Sequence, residues 1–305
     1  MMNNIYFGID LGGTKTEIIA LNEQGETLYT ARTPTPGNSY QEIVNNIQNM
    51  VVQAESTLKL TDKQAKVGIG TPGAKSPASG LLRNSNTVCM NDKPLQQDLE
   101  RALGREICIA NDANCFALSE ATDGAAAGKN IVFGVIIGTG TGGGVVVNGR
   151  VLTGANAIAG EWGHNPLPWP QDDERPGAHC YCGRHGCIET FLSGPGLAKI
   201  YNSTNKTALT AIQIAVKADE GEATALACLA RYENRLARSL AQIINILDPD
   251  TIVLGGGLSN IQRLYREVPK LWGQFIFSDN ASTQLVPPKF GDASGVRGAA
   301  WLAKP

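Results

Sequence analysis

The chain has no run of lysine or arginine, no basic stripe, no low-complexity linker and no leading apolar segment preceded by basic residues. Each absence excludes a class. Lys+Arg (26) nearly balances Asp+Glu (28), giving a net charge of -2, so nothing can neutralise a row of phosphates and a nucleic-acid platform is excluded. The N-terminus reaches Asp10 too soon for a secretory apolar region, so a cytoplasmic protein is expected. The uncharged stretch 130–149 is long enough to cross a membrane but is studded with glycine and threonine, and reads as strands around a loop. Histidine occurs three times, which limits any metal site to few candidates, and aromatics are only 6%. With 42% hydrophobic and 18% charged residues in 305, disorder is excluded and two domains are expected.

Glycine, by contrast, is in excess: 35, where a background of roughly 7% would give about 21. Seven cysteines cannot all pair, and Cys89, Cys108, Cys115 and Cys228 lie in apolar surroundings that suggest reduced core thiols. Short apolar runs alternate with helical patterns, which gives an α/β class. Strands are expected at 5–11, 16–21, 27–33, 66–70, 106–110, 131–137 and 251–254. Helices are expected at 39–59, 94–103, 113–127, 222–247, from 258 and at 295–303. The stretch 165–177 (NPLPWPQDDERPG) reads as an excursion or lid loop.

Residues 5–21 align with 131–147: Ile5 with Ile131, Phe7 with Phe133, Gly8 with Gly134, Gly12 with Gly138. Both copies read strand, glycine turn, strand, so two similar lobes across a cleft are expected. Asp10 and Lys15 occur only in the first copy, as suits one ligand held asymmetrically.

Glycine turns let backbone N–H groups converge on phosphate. Gly8-x4-Gly13-Thr14-Lys15 is not a P-loop, because the Thr-Lys order is reversed and a strand follows. Gly138-x-Gly140-x-x-Gly143 is followed by Val145–Val147, again a strand, which argues against a dinucleotide fold and leaves an NAD-dependent dehydrogenase as a weak alternative. Gly255-Gly256-Gly257 ends a buried strand and is expected to start a helix facing a nucleotide. Three such turns together point to ATP between lobes. Cys180-x-Cys182-Gly-x-x-Gly-Cys187 has the thiolate spacing of tetrahedral zinc, and spacing alone leaves His164, His179 and His185 open as fourth ligand. Asn111-Asp112 after a strand is equally an N-cap or a catalytic pair.

Asp10-Leu11-Gly12-Gly13-Thr14-Lys15, Gly138-Thr139-Gly140-Thr141-Gly142 and Gly255-Gly256-Gly257 resemble the phosphate-1, phosphate-2 and adenosine motifs of the sugar kinase/actin/Hsp70 ATPase superfamily. With the cysteine cluster and Glu161-Trp162-Gly163-His164, the resemblance narrows to the ROK family and covers the chain from Gly8 to the final helix. It implies a duplicated actin-like (ribonuclease H-like) fold. An N-terminal lobe over 1–117, with a C-terminal helix of about 288–305 packing back on it, would face a C-terminal lobe over 118–287 whose zinc-binding insertion spans about 161–189.

The resemblance further implies that Asp112 is the base and that Asn111, Glu161, His164 and Glu189 bind the sugar. Gly73 and Asn86 match further sugar-side segments. Asp10 would act through water on Mg²⁺ bridging the ATP phosphates, with Lys15 a weaker participant. The glycines of all three turns, Gly255, Gly256 and Gly257 included, would contact the nucleotide. The structural zinc would take His164, Cys180, Cys182 and Cys187, with the second nitrogen of His164 free to reach a sugar hydroxyl. Small-molecule sugar and ATP are the implied partners, and because the family is often dimeric a homodimer is compatible.

Gly160–Trp169 and Asn111–Cys115 look most like the fructokinase (manno(fructo)kinase) branch, which makes fructose the expected acceptor, with mannose or glucose as further substrates. Cys89 departs from fructokinase relatives, which can have Trp in that segment. N-acetylglucosamine, N-acetylmannosamine and glucose kinases are the alternatives within the family. A ROK transcriptional regulator lacking its DNA-binding domain is the alternative of another class: the helix-turn-helix that would precede the core has no room before residue 10. Fifteen of the 35 glycines fall in these features, and the remaining 20 match the background.

Overall fold

The structure, a computed structural model, describes residues 4–61 and 65–304. The first half contains β1 (Tyr6–Leu11), β2 (Lys15–Leu21), β3 (Thr27–Pro34), α1 (Tyr40–Thr57), β4 (Lys66–Thr71), the short pair β5 (Ala74–Lys75) and β6 (Leu82–Arg83), α2 (Leu95–Leu103), β7 (Ile107–Asn111) and α3 (Asp112–Thr122). The second contains β8 (Ile131–Ile137), β9 (Thr141–Val147), β10 (Arg150–Val151), α4 (Glu189–Leu192), α5 (Gly194–Asn205), α6 (Ala211–Asp219), α7 (Ala223–Leu247), β11 (Thr251–Gly255), α8 (Arg263–Trp272), β12 (Gln284–Val286) and α9 (Ser294–Leu302).

The strand order is β3-β2-β1-β4-β7 in one sheet and β10-β9-β8-β11-β12 in the other. In both, the first strand pairs antiparallel with the hairpin partner that follows the glycine turn and parallel with its other neighbour. The internal repeat is therefore a repeat of topology. The antiparallel hairpin needs only a tight turn, whereas each parallel neighbour needs a helical crossover.

Local chemistry sets the elements. Ser39 caps α1 by accepting from the Glu42 N–H, and the helix buries Ile43, Ile47, Met50, Val51 and Ala54 at three- and four-residue spacing. α2 stops at Gly104, which takes the left-handed conformation. α3 ends at Thr122, earlier than the expected 127, and a short turn leads to β8.

Each sheet has its own apolar cluster, and a third joins them. That third cluster gathers Tyr6 and Leu21 from the first sheet, Val132 and Val253 from the second, Phe116 of α3 and Trp301 of α9. The expected boundary after residue 117 falls inside α3. α9 lies on β1 and β4, and it crosses α3 so closely that a Cβ on Gly298 would overlap the Cys115 carbonyl. Glu120 of α3 fixes the crossing by accepting from Ser294 Oγ at 2.6 Å and from the Lys289 N–H at 3.1 Å.

Several expectations need correction. Of the four scattered cysteines only Cys115 is fully buried; Cys108 is exposed, because it lies on an outward-facing position of β7. Gly255-Gly256-Gly257 leads into a single 3-10 turn (Gly257–Asn260), not an α-helix, and α8 begins only at Arg263. The reason lies at Ile261, whose extended backbone (φ -75, ψ 95) interrupts the helical path between Asn260 and α8. Residues 165–177 do not form a free lid. Glu174 is buried against Arg235 and Arg238 of α7, which pins the loop to the second lobe. No helix among the described residues is long and apolar enough to cross a membrane.

Candidate functional site

Parallel strands deliver their carboxyl ends to one edge of a sheet, where loops can converge. In the first sheet Asp10 is the penultimate residue of β1, β4 leads to Gly73 and β7 runs into Asn111 and Asp112, with Asp10 opposite Gly70 and Thr71 opposite Asn111. In the second, β8 ends at Ile137, just before Gly138, and β11 ends at Gly255, with Gly255 opposite Ile136. All three glycine turns therefore lie at strand ends.

Asn111 and Asp112 combine both readings of that pair. Asn111 Oδ1 accepts from the Asn114 N–H at 2.9 Å and caps α3, which leaves its amide nitrogen for a ligand. Asp112 Oδ1 accepts from the Ala113 N–H at 2.8 Å, leaving the second oxygen open to the cleft. Burial pushes its carboxyl above the ordinary range, against the lowering effect of backbone N–H groups. Asp10 is pushed up to about 6, first by burial, then by the negative charges of Asp112 and Glu17, with exposed Lys15 opposing. Glu161 is raised by burial, relieved by His164 and raised again by Asp112 and Glu189. Four carboxylates from both lobes thus share one electrostatic neighbourhood. Asp10, half-buried at the strand end, offers a single carboxylate of the oxygen chemistry that a hard divalent cation takes.

The phosphate-1 turn (Gly12–Thr14) closes with the Gly12 N–H donating to the Lys15 carbonyl at 3.0 Å, and it faces Asn86 and Thr87. The phosphate-2 turn closes in the same way, the Gly138 N–H donating to the Gly140 carbonyl at 3.0 Å. Glu189 Oε2 accepts from the Thr141 N–H of that turn at 2.9 Å, and the Trp162 indole donates to the Gly142 carbonyl at 2.8 Å. The segments carrying Glu161, His164 and Glu189 are therefore fastened to the β8–β9 turn. Gly73 has φ +81 and packs against the Arg83 carbonyl, so backbone geometry alone requires glycine there.

His164 Nδ1, Cys180 Sγ, Cys182 Sγ and Cys187 Sγ all lie within 4.8 Å of one another. His164 Nδ1 is 3.6 Å from Cys180 Sγ, and Cys182 Sγ is 3.6 Å from Cys187 Sγ. Tetrahedral zinc with bonds of about 2.3 Å needs ligand atoms about 3.8 Å apart, so the donor set fits that ion. His179 and His185 face each other instead, with ring centroids 5.2 Å apart. The second nitrogen of His164 is not free: Nε2 lies 3.0 Å from the hydroxyl of Tyr181, a residue with no distinguishing sequence signal.

A cavity of about 520 Å³ adjoins Gly138, Thr139 and Gly257. Its remaining walls are the start of α5 (Gly194, Pro195, Ala198), Leu258 and residues 209–212, an apolar slot suited to an adenine ring. Of the three glycines of the third turn, expected to contact the nucleotide, only Gly257 lines this slot. A Cβ on Gly256 would stand 2.6 Å from the Ile137 carbonyl, and one on Gly255 would stand 2.6 Å from the Phe116 ring. Those two glycines serve close packing against β8 and α3, and they place Gly257 at the wall. Sequence reading missed the α5 and 209–212 residues because small and β-branched side chains carry no chemical signature. Thr87, also missed, buries a hydroxyl with no partner among the described residues.

Two topologically equivalent sheets, each presenting a glycine turn to a common cleft, define the duplicated actin-like ATPase class of fold. The ROK family model matches residues 6–305, and the chain belongs to the ROK family. It is 41% identical over 302 residues to an N-acetyl-D-glucosamine kinase of Photobacterium profundum, covering 98% of this chain and 99% of that one. Among solved structures, a ROK hexokinase from Thermus thermophilus superposes with a TM-score of 0.87 at 28% identity, covering 98% and 97% of the two chains. A ROK family glucokinase from Streptomyces griseus, solved with glucose and AMPPNP, gives a TM-score of 0.78 at 25% identity with 99% of each chain covered.

Proposed function

We propose that this ROK chain is an ATP-dependent hexose kinase, transferring the γ-phosphoryl group of ATP to a sugar hydroxyl in the cleft. The observation that carries the reading is Asp112: a carboxylate at a parallel-strand end, one oxygen anchored on its own helix and the other open, between sugar-side segments and two phosphate turns. A neutral hydroxyl is a poor nucleophile, and a carboxylate of raised pKa is poised to take its proton as transfer proceeds. Asn111, Glu161 and Glu189 supply acceptors and amide donors for the sugar, with Gly73 and Asn86 on neighbouring segments, while His164, whose Nε2 is taken by Tyr181, acts through the metal cluster. Backbone N–H groups at the tips of the two turns, Gly13–Thr14 and Thr139–Gly140, receive phosphate, and the slot walled by Gly257 receives adenine, with Gly255 and Gly256 holding that wall in place. Asp10 would hold Mg²⁺, which supplies charge neutralisation on the phosphates. His164, Cys180, Cys182 and Cys187 would hold zinc with no open position, so the ion fastens the Glu161 segment to the Glu189 turn and has no part in the chemistry.

N-acetylglucosamine is the first choice of acceptor, supported by relatives of that name at 37–41% identity along essentially the whole chain. Fructose is the second, supported by the Gly160–Trp169 and Asn111–Cys115 segments. ADP release measured over N-acetylglucosamine, N-acetylmannosamine, glucose, mannose and fructose decides. The highest kcat/KM should fall on N-acetylglucosamine; a maximum on fructose reverses the order of acceptors and leaves the kinase intact. Sugar binding without turnover on any of them would replace the kinase with a ligand-responsive regulator. Asp112→Asn should abolish turnover and keep sugar affinity within about tenfold; retained turnover removes it as the base.

A further inference from the structure

The loop 165–177 is held by charges that have no access to solvent. Glu174 is 4% exposed, Arg235 3% and Arg238 2%. Arg235 Nε donates to Glu174 Oε1 at 2.8 Å, and Arg238 Nη2 donates to Oε1 at 3.0 Å and Oε2 at 2.9 Å. One carboxylate against two guanidiniums leaves one positive charge over. Arg238 directs Nη1 to the carbonyls of Pro168 and Trp169. Arg235 lies over the Phe191 ring, 5.2 Å from its centroid, where the π-face offsets the charge.

Well-packed apolar residues generally serve stability as well as a buried ion network does. What a network of this kind adds is direction, and both of its routes lead to Glu189. Phe191 is two residues past Glu189, and its ring is flanked on another side by Gly177 at the end of the loop. The carbonyls held by Arg238 continue into 165–167, which pair with the turn before Glu189: the Leu167 N–H donates to the Gly186 carbonyl and the Ile188 N–H to the Asn165 carbonyl, each at 2.9 Å. The Tyr232 hydroxyl of α7 donates to the Leu192 carbonyl at 2.8 Å, closing α4 from the other end.

We infer that Arg235 is a positioning residue for sugar recognition: through Phe191 and the Glu174 loop it sets the orientation of α4 and hence of the Glu189 carboxylate. The inference rests on the reading of Glu189 as a sugar ligand. A carboxylate displaced by about 1 Å loses much of its binding contribution, so the effect should appear in sugar recognition before stability.

The test compares Arg235→Met, Phe191→Leu and Glu189→Gln in the full chain. Arg238 keeps Glu174 paired in the first, and Phe191→Leu, which introduces no charge change, stands in should Arg235→Met fail to fold. Arg235→Met and Phe191→Leu should each raise the sugar KM about tenfold while the ATP KM stays within about twofold and zinc content is unchanged. An unchanged sugar KM, or sugar and ATP KM rising in parallel, overturns the positioning role. If Glu189→Gln raises the sugar KM and Arg235→Met does not, the positioning role alone falls; if Glu189→Gln has no effect, the sugar-ligand reading falls with it.

Discussion

Replacing Asp10 by Asn should make the free protein more stable while removing its activity. The Asp10 carboxyl is raised from 3.8 to about 6, chiefly by burial at the end of β1 and then by Asp112 and Glu17. A carboxyl with a folded pKa above its unfolded one binds its proton more tightly in the folded chain. Stability therefore falls as pH rises from 3.8 to about 6 and stays lowered above that interval. At 1.36 kcal/mol per pH unit the full penalty is ~3 kcal/mol, and water in the open cleft screens it to ~1–2 kcal/mol. Asn keeps the shape and drops the charge, so at pH 8 the variant should melt a few degrees higher, and about half of the gain should disappear by pH 5. Scanning calorimetry from pH 5 to 8 measures this in magnesium-free, nucleotide-free buffer, without a chelator that would strip zinc. Adding MgATP should reverse the order, because only the wild-type carboxylate gains from the cation. A variant less stable than wild type at pH 8, or a gain independent of pH, refutes the argument that Asp10 is held as an uncompensated charge.

Cys187→Ser should lower bound zinc from one per chain toward none and raise the sugar KM, since the turn before Glu189 loses its anchor; metal analysis after dialysis checks the first part, and one zinc held at unchanged affinity sinks the assignment. Gly298→Ala should cost about 3 kcal/mol in urea unfolding, because the new methyl meets the Cys115 carbonyl, a backbone group of α3 that cannot swing aside. Ala198→Phe should fill the slot beside Gly138 and raise the ATP KM at least about tenfold with the sugar KM unchanged; equal effects on both would remove the slot from the nucleotide site.

Much of the fold was legible because it is written in local periodicity and in a repeat. The correspondence of 5–21 with 131–147 anticipated two sheets of the same strand order, and the alternation of buried strands with amphipathic helices located most elements to within a residue or two. The strand-end position of the candidate groups was legible for the same reason: Asp10, Asn111–Asp112 and Gly138 each follow a short apolar run. What local pattern cannot report is partnership across long separations. Glu174 meets Arg235 and Arg238 more than 60 residues later, so a polar, proline-rich stretch looked like a lid when it is a strut. Gly256 looked like a ligand-binding glycine, yet its close neighbour is the backbone of Ile137. Tyr181 meets His164 only because the cysteine turn folds over it. The apolar slot beside Gly138 is built from the small residues at the start of α5 and the Leu209–Ile212 segment, whose shape exists only after α5 and α6 have packed.

The placement of α9 bears on how the chain is made. Synthesis delivers β1, β2, β3, β4 and β7 early, but one face of that sheet is covered by residues 294–302, with Val296, Ala300 and Trp301 completing the cluster that Tyr6 and Leu21 begin. The first sheet must wait for residues 294–302 before that face is covered, and until they dock it is an open apolar surface. The second sheet, whose strands and helices are nearly contiguous, can close before the first.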